Sequence, residues 1–104
     1  GKTDEAAACF RKAIGLDPTL TVARTNLGEA LLDQGKADEA LATQRKAVEL
    51  DPKDAGAHNG LGMALHVKGE VDMAVASYRK AIELDPKLVA AHANLGAVLC
   101  DGKK

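Results

Sequence analysis

The three prolines of this chain, Pro18, Pro52 and Pro86, stand 34 residues apart. The residues between them follow the same spacing. Aligning 19–52 with 53–86 gives 16 identities in 34 positions, including Leu27/Leu61, Gly28/Gly62, Ala30/Ala64, Leu31/Leu65, Gly35/Gly69, Asp38/Asp72, Ala40/Ala74 and Ala47/Ala81. The frame extends back to Ala6, Phe10 and Ala13 and forward to Leu95, Gly96 and Leu99. A period of this length with this internal agreement marks an array in which each repeat buries its apolar face against its neighbours.

Each period holds two runs with helical spacing. VARTNLGEALL sets Ala23, Leu27, Ala30 and Leu31 on one side, and DEALATQRKAVEL does the same with Ala40, Ala47, Val48 and Leu50. Gly35 and Gly69 fall between the runs, where a tight reversal needs a residue without Cβ. Asp-Pro closes the second run, because proline lacks a donor and restricts the residue before it. Asp38 and Asp72 are placed to cap the second helices. The spacing predicts helices over 4–16, 21–33, 38–50, 55–67, 72–84 and 89–100. Gly28, Gly62 and Gly96 lie inside helices, at about 1 kcal/mol relative to alanine. Close helix contacts offset that cost, with Ala40 and Ala74 as the expected small partners. Leu27, Leu31, Leu61, Leu65, Ala40, Ala47, Ala74 and Ala81 form the expected core.

With 46% apolar residues and only Phe10 and Tyr78 as aromatics, the packing falls to Ala, Leu, Val and Ile. A formal charge of -1 gives no general attraction to nucleic acid or anionic lipid. No apolar run nears the ~20 residues of a membrane-spanning helix, and residues 1–15 lack a signal-peptide pattern. Cys9 and Cys100 read as small apolar fillers, which favours a reducing, cytoplasmic setting.

The pattern of Leu27, Gly28, Ala40, Ala47 and Pro52, recurring as Leu61, Gly62, Ala74, Ala81 and Pro86, resembles the tetratricopeptide repeat (TPR) family. The match covers nearly the whole chain: a second-helix half repeat in 1–18, full repeats in 19–52 and 53–86, and a first-helix half repeat in 87–104. The resemblance implies an all-α fold, with antiparallel helix hairpins stacked as a right-handed α-solenoid whose first helices line a concave face. That face holds extended peptides or a partner's helix in the family. Two departures concern packing. Arg24, His58 and His92 replace a large aromatic early in the first helix, and Gln44 stands where Phe10 and Tyr78 occur. Gly102 arrives one residue early relative to Gly35 and Gly69, so the regular repeat is expected to stop at Cys100.

Family placement puts Val22, Thr25, Asn26, Glu29, Leu32 and Asp33 along the concave side. Asn59, Met63 and His66 follow from the second repeat, and Asn94, Cys100 and Asp101 from the last. The candidate peptide-binding residues are Asn26, Glu29, Asn59, Met63, His66 and Asn94; an amide side chain both donates to and accepts from a peptide backbone. Ordinary solvated helix surface explains the same residues as well. Leu27, Gly28, Ala40, Pro52, Leu61, Gly62, Ala74, Pro86, Leu95 and Gly96 read as structural. A carboxylate clamp requires cationic donors, but the corresponding sites carry Val22, Thr25, Gly56, Asn59, Gly60, Ala90 and Ala93. The Arg-Lys pairs at 11–12, 45–46 and 79–80 suit the outer surface and the later half of each second helix.

His58 and His66 are eight residues apart, not the i,i+4 of a metalloprotease helix, and two ligands such as His66 and Cys100 leave a zinc shell open. No phosphate loop or base–nucleophile set emerges, so no enzyme, cofactor or metal is expected. The expected function is a noncatalytic protein-interaction scaffold for a protein or extended peptide. Asn26-Leu27-Gly28 and Asn94-Leu95-Gly96 also look like repeats beside glycosyltransferase domains, including the O-linked N-acetylglucosamine transferases. A docking or regulatory segment of such an enzyme is one alternative; a purely structural scaffold is another. The half repeats at each end imply weak end-to-end self-association, opposed by Lys103 and Lys104.

Overall fold

The computed structural model describes residues 1–102 as six helices: α1 (Lys2–Leu16), α2 (Thr21–Asp33), α3 (Ala37–Leu50), α4 (Ala55–Val67), α5 (Val71–Leu84) and α6 (Val89–Gly102). The ranges predicted for α2 and α4 coincide with the observed ones. The others start or end one or two residues further out. In particular, α6 continues past Cys100 to Gly102, correcting the expected stop. Lys103 and Lys104 lie outside the described residues.

Two kinds of junction alternate. After α2, Gly35 takes φ 78°, and Gly69 takes φ 82° after α4. Lys36 N–H donates to Leu31 O (2.8 Å) and Gly35 N–H to Leu32 O (3.0 Å), with the same pair at Glu70 to Leu65 (2.9 Å) and Gly69 to His66 (3.0 Å). These 6→1 and 5→2 bonds form Schellman caps, which require a left-handed residue and therefore favour glycine.

The second junction begins at the aspartate. Asp17, Asp51 and Asp85 end their helices in extended backbone, where a following proline forces them. Each side chain then accepts from the amide two residues on: Thr19 (3.1 Å), Lys53 (3.3 Å) and Lys87 (3.1 Å). Aspartate thus closes a side-chain turn while proline stops the helix. Asp38 and Asp72 do not cap. The N-cap residues are Lys36 and Glu70, neither with a side-chain cap bond, and the aspartates fall within the first turn. Negative charge there suits the helix dipole without receiving the orphan amides. Asp54 does cap, accepting from Gly56 N–H at 2.9 Å.

Ala40, Ala47, Ala74 and Ala81 are fully buried, with Leu27, Leu31 and Leu65 beside them. Leu61 is only partly buried at the edge of the second core cluster. Leu32, assigned to the concave face, packs partly against the first. The helix glycines meet partners other than those expected. A Cβ on Gly28 would lie 2.1 Å from Gln44 Nε2, and one on Gly62 would lie 2.6 Å from the Tyr78 ring. The glycines make room for the long residue four positions beyond Ala40 or Ala74. Cys9 and Cys100 are free and exposed, so they do not fill the core.

Neighbouring repeats share a polar clasp. Asp4 accepts from Gln34 Nε2 at 2.6 Å, and one period later Asp38 meets Lys68 Nζ at 2.6 Å. Both pairs are exposed to solvent, so they register the stack more than they stabilise it.

Candidate functional site: the inner helix face

The curvature can be read from the packing. Among the described residues α2 packs on α4 and α4 on α6, while α1, α3 and α5 have no close backbone contact with one another. Long side chains alone join the outer helices, as in Arg11–Glu39 at 3.2 Å. Helices α2, α4 and α6 therefore form the inner layer. Arg45, Lys46, Arg79 and Lys80 are exposed on the outer ones.

The candidate residues divide into two groups. Asn59 on α4 is buried, and its Oδ1 accepts from Asn94 Nδ2 at 3.0 Å across the α4–α6 contact. Asn59 Nδ2 points to Met63 Sδ at 4.0 Å, and Met63 is itself half-buried against the second core cluster. One turn further on, His66 Nε2 lies 2.8 Å from Asp101 Oδ2. His66 thus faces a carboxylate, not Cys100.

Asn26 and Glu29 sit apart, in a cleft of about 270 Å³ between α1 and α2. Lys2, Thr3, Ala6 and Phe10 form one wall; Asn26, Glu29, Ala30 and Asp33 form the other. Desolvation raises the Glu29 carboxyl above its ordinary range, and the charge of Asp33 adds to the effect. The α1 wall was absent from the sequence-based set. Its signal was present: Ala6 and Phe10 are in register with Ala40/Ala74 and Gln44/Tyr78, which inside the array lie under a first helix.

Under the inner face, Gln44 is fully buried between Gly28 and Gly60, where a Cβ would lie 2.7 Å from its amide. Its Nε2 donates to Thr25 O at 3.1 Å, while Oε1 is buried without a partner.

A tetratricopeptide repeat family profile matches residues 1–55 and 25–89. The chain belongs to the tetratricopeptide repeat family. No curated protein matches the sequence. Among solved structures, the first TPR of Spaghetti (RPAP3) bound to HSP90 peptide SRMEEVD is similar, with TM-score 0.87, 27% identity, and coverage of 100% of this chain and 82% of that chain. The first TPR domain of the human RPAP3 protein gives TM-score 0.87, 28% identity, and coverage of 94% of this chain and 77% of that one. The all-α TPR solenoid is thus established. No described helix is long and apolar enough to cross a membrane.

Proposed function

We propose that this chain is a noncatalytic interaction module that holds an extended peptide or partner helix along α2, α4 and α6. The carrying observation is the inner layer itself, where Asn26 and the Asn94–Asn59 pair present amide groups at both ends. A similarly folded TPR domain holding a peptide supports the reading. Asn94 keeps a carbonyl oxygen for a partner's N–H after donating to Asn59, and Asn26 has both amide functions to offer. Met63 adds a deformable apolar contact. The exposed free thiols of Cys9 and Cys100 support a reducing, cytoplasmic setting.

The charge of this face selects among peptides. Glu29, Asp33 and Asp101 are carboxylates, whereas the clamp positions carry neutral residues. Arg24, the one cation of α2, is turned to Pro18 O at 3.1 Å. Lys2 is the single cation lining the α1–α2 cleft, facing Glu29 and Asp33, so an acidic peptide such as SRMEEVD meets more carboxylates than cations there. A neutral or basic segment placing Lys or Arg beside Glu29 relieves the desolvated carboxyl.

Binding of labelled peptide panels, read by anisotropy, tests the proposal. Basic or neutral peptides are expected to bind more tightly than SRMEEVD, and Asn26→Ala or Asn94→Ala to weaken binding by about 0.5–1.5 kcal/mol with folding retained. Preference for the acidic peptide, or indifference to both substitutions, would contradict it.

A further inference from the structure

Asp33, Val67 and Asp101 stand at the same repeat position on α2, α4 and α6. All three are exposed, Val67 at 62%, so an apolar side chain on the middle helix has a carboxylate on each neighbouring one. Met63, one turn earlier on α4, continues the apolar strip. His66 Nε2 lies 2.8 Å from Asp101 Oδ2 and fixes that carboxylate beside α4, while its second oxygen stays open to another donor. The cations of these helices are engaged elsewhere, Arg24 with Pro18 O at 3.1 Å and Lys68 with Asp38 at 2.6 Å. Lys2 lies only at the α1 edge. A buried donor is aimed at the same strip. Asn59 is 7% exposed, yet the acceptor for its Nδ2 is the Met63 sulfur, 4.0 Å away. A thioether accepts weakly, so this amide is without a strong partner.

We propose that the segment held by the inner layer carries an apolar residue bracketed by two cations and crosses α4. The apolar side chain seats on Val67 and Met63, one cation meets Asp33 and the other meets Asp101. A carbonyl of the segment accepts from Asn59 Nδ2 in place of the sulfur, because unbranched Met63 can turn aside. Packed helices lie about 8–10 Å apart, so carboxylates on either side of α4 are about 16–20 Å apart. In an extended chain the side chains at i, i+2 and i+4 share one face and span about 13 Å. The stem of a lysine or arginine at each end covers the rest. The partner motif is therefore cation-x-apolar-x-cation. This inference rests on the inner layer being the peptide surface, and adds to it the order of charges that the surface selects.

NMR titration of the chain with the peptide SKSLSKS, beside its scramble KKSSSLS and the leucine-free SKSSSKS, tests it. SKSLSKS is expected to bind about two- to fivefold more tightly than the scramble, which reaches only one of the flanking carboxylates. Its advantage over SKSSSKS should be about five- to tenfold, from burial of the leucine. Val67→Ser changes an exposed residue, so the fold should persist while the leucine advantage disappears. Asp101→Asn keeps a bond to His66 and should weaken SKSLSKS by about two- to fivefold, with a smaller effect on the single-lysine peptide SKSLSSS. Equal binding of SKSLSKS and its scramble, with shifts still on α2, α4 and α6, would overturn the motif and leave the inner-layer reading standing. No binding by any of the peptides, or shifts centred on α3 and α5, would overturn both.

Discussion

His58 Nε2 lies 2.8 Å from the carbonyl oxygen of Pro52, six residues earlier. The relationship recurs as His92 Nε2 to Pro86 O at 2.9 Å and as Arg24 Nη2 to Pro18 O at 3.1 Å. A carbonyl only accepts, so the histidine nitrogen carries the proton. Three different departures from the family's aromatic thus perform one task, tying the start of each first helix to the turn before it. Replacing both His58 and His92 with Ala should cost about 0.5–1.5 kcal/mol for each bond, measured by chemical denaturation. Proton-detected NMR should find hydrogen on Nε2 of both rings.

The helix glycines give a sharper test, because one substitution should have opposite effects at equivalent sites. Gly62→Ala gains helix propensity but drives a methyl into the Tyr78 ring, for a net loss of about 1–2 kcal/mol. Gly96→Ala meets open space and should stabilise the monomer by about 0.5–1 kcal/mol. Dilute-solution urea melts of the two variants should shift in opposite directions.

Gln44 is the polar member of an otherwise apolar register. Its buried Oε1 has no partner, a state that costs about 1–3 kcal/mol, while its bond to Thr25 O returns about 1 kcal/mol. Gln44→Met preserves the volume and removes both contributions. The unfolding free energy of that variant should rise by about 1 kcal/mol.

Tyr78 is almost fully buried, and desolvation pushes its phenol up to about 12. The unfolded chain loses this proton near 10, the ordinary value, while the folded chain retains it. Between those two pH values the unfolded state binds fewer protons, so this residue's contribution to stability falls as pH rises, by at most about 1.4 kcal/mol per pH unit. Tyr78 is the single tyrosine and the chain has no tryptophan, so phenolate absorbance reports it alone. The native titration midpoint should lie near 12.

What the sequence revealed divides along physical lines. Proline spacing and apolar periodicity marked every hairpin, because both follow from one repeat length and the helical pitch. They carry no information about the rotation of one helix against its partner. The slots on Gly28 and Gly62 were therefore legible as close contacts, while Gln44 and Tyr78 as their occupants were not. The stagger between α4 and α6 was hidden in the same way. It brings Asn59 to Asn94, although Asn59 lies one residue off the column shared by Asn26 and Asn94. The Asp-Pro junction was read through its proline, and the turn-forming carboxylates of Asp17, Asp51 and Asp85 emerged only with the backbone.

The inner layer formed by α2, α4 and α6 is proposed as the recognition surface. Backbone amide NMR of the 104-residue chain, titrated with the tightest peptide from a neutral and basic panel, tests it most directly. Saturable shifts are expected on α2, α4 and α6, concentrated at Asn26, Glu29, Met63 and Asn94. Shifts centred instead on the exposed outer pairs Arg45-Lys46 and Arg79-Lys80 of α3 and α5 would contradict it.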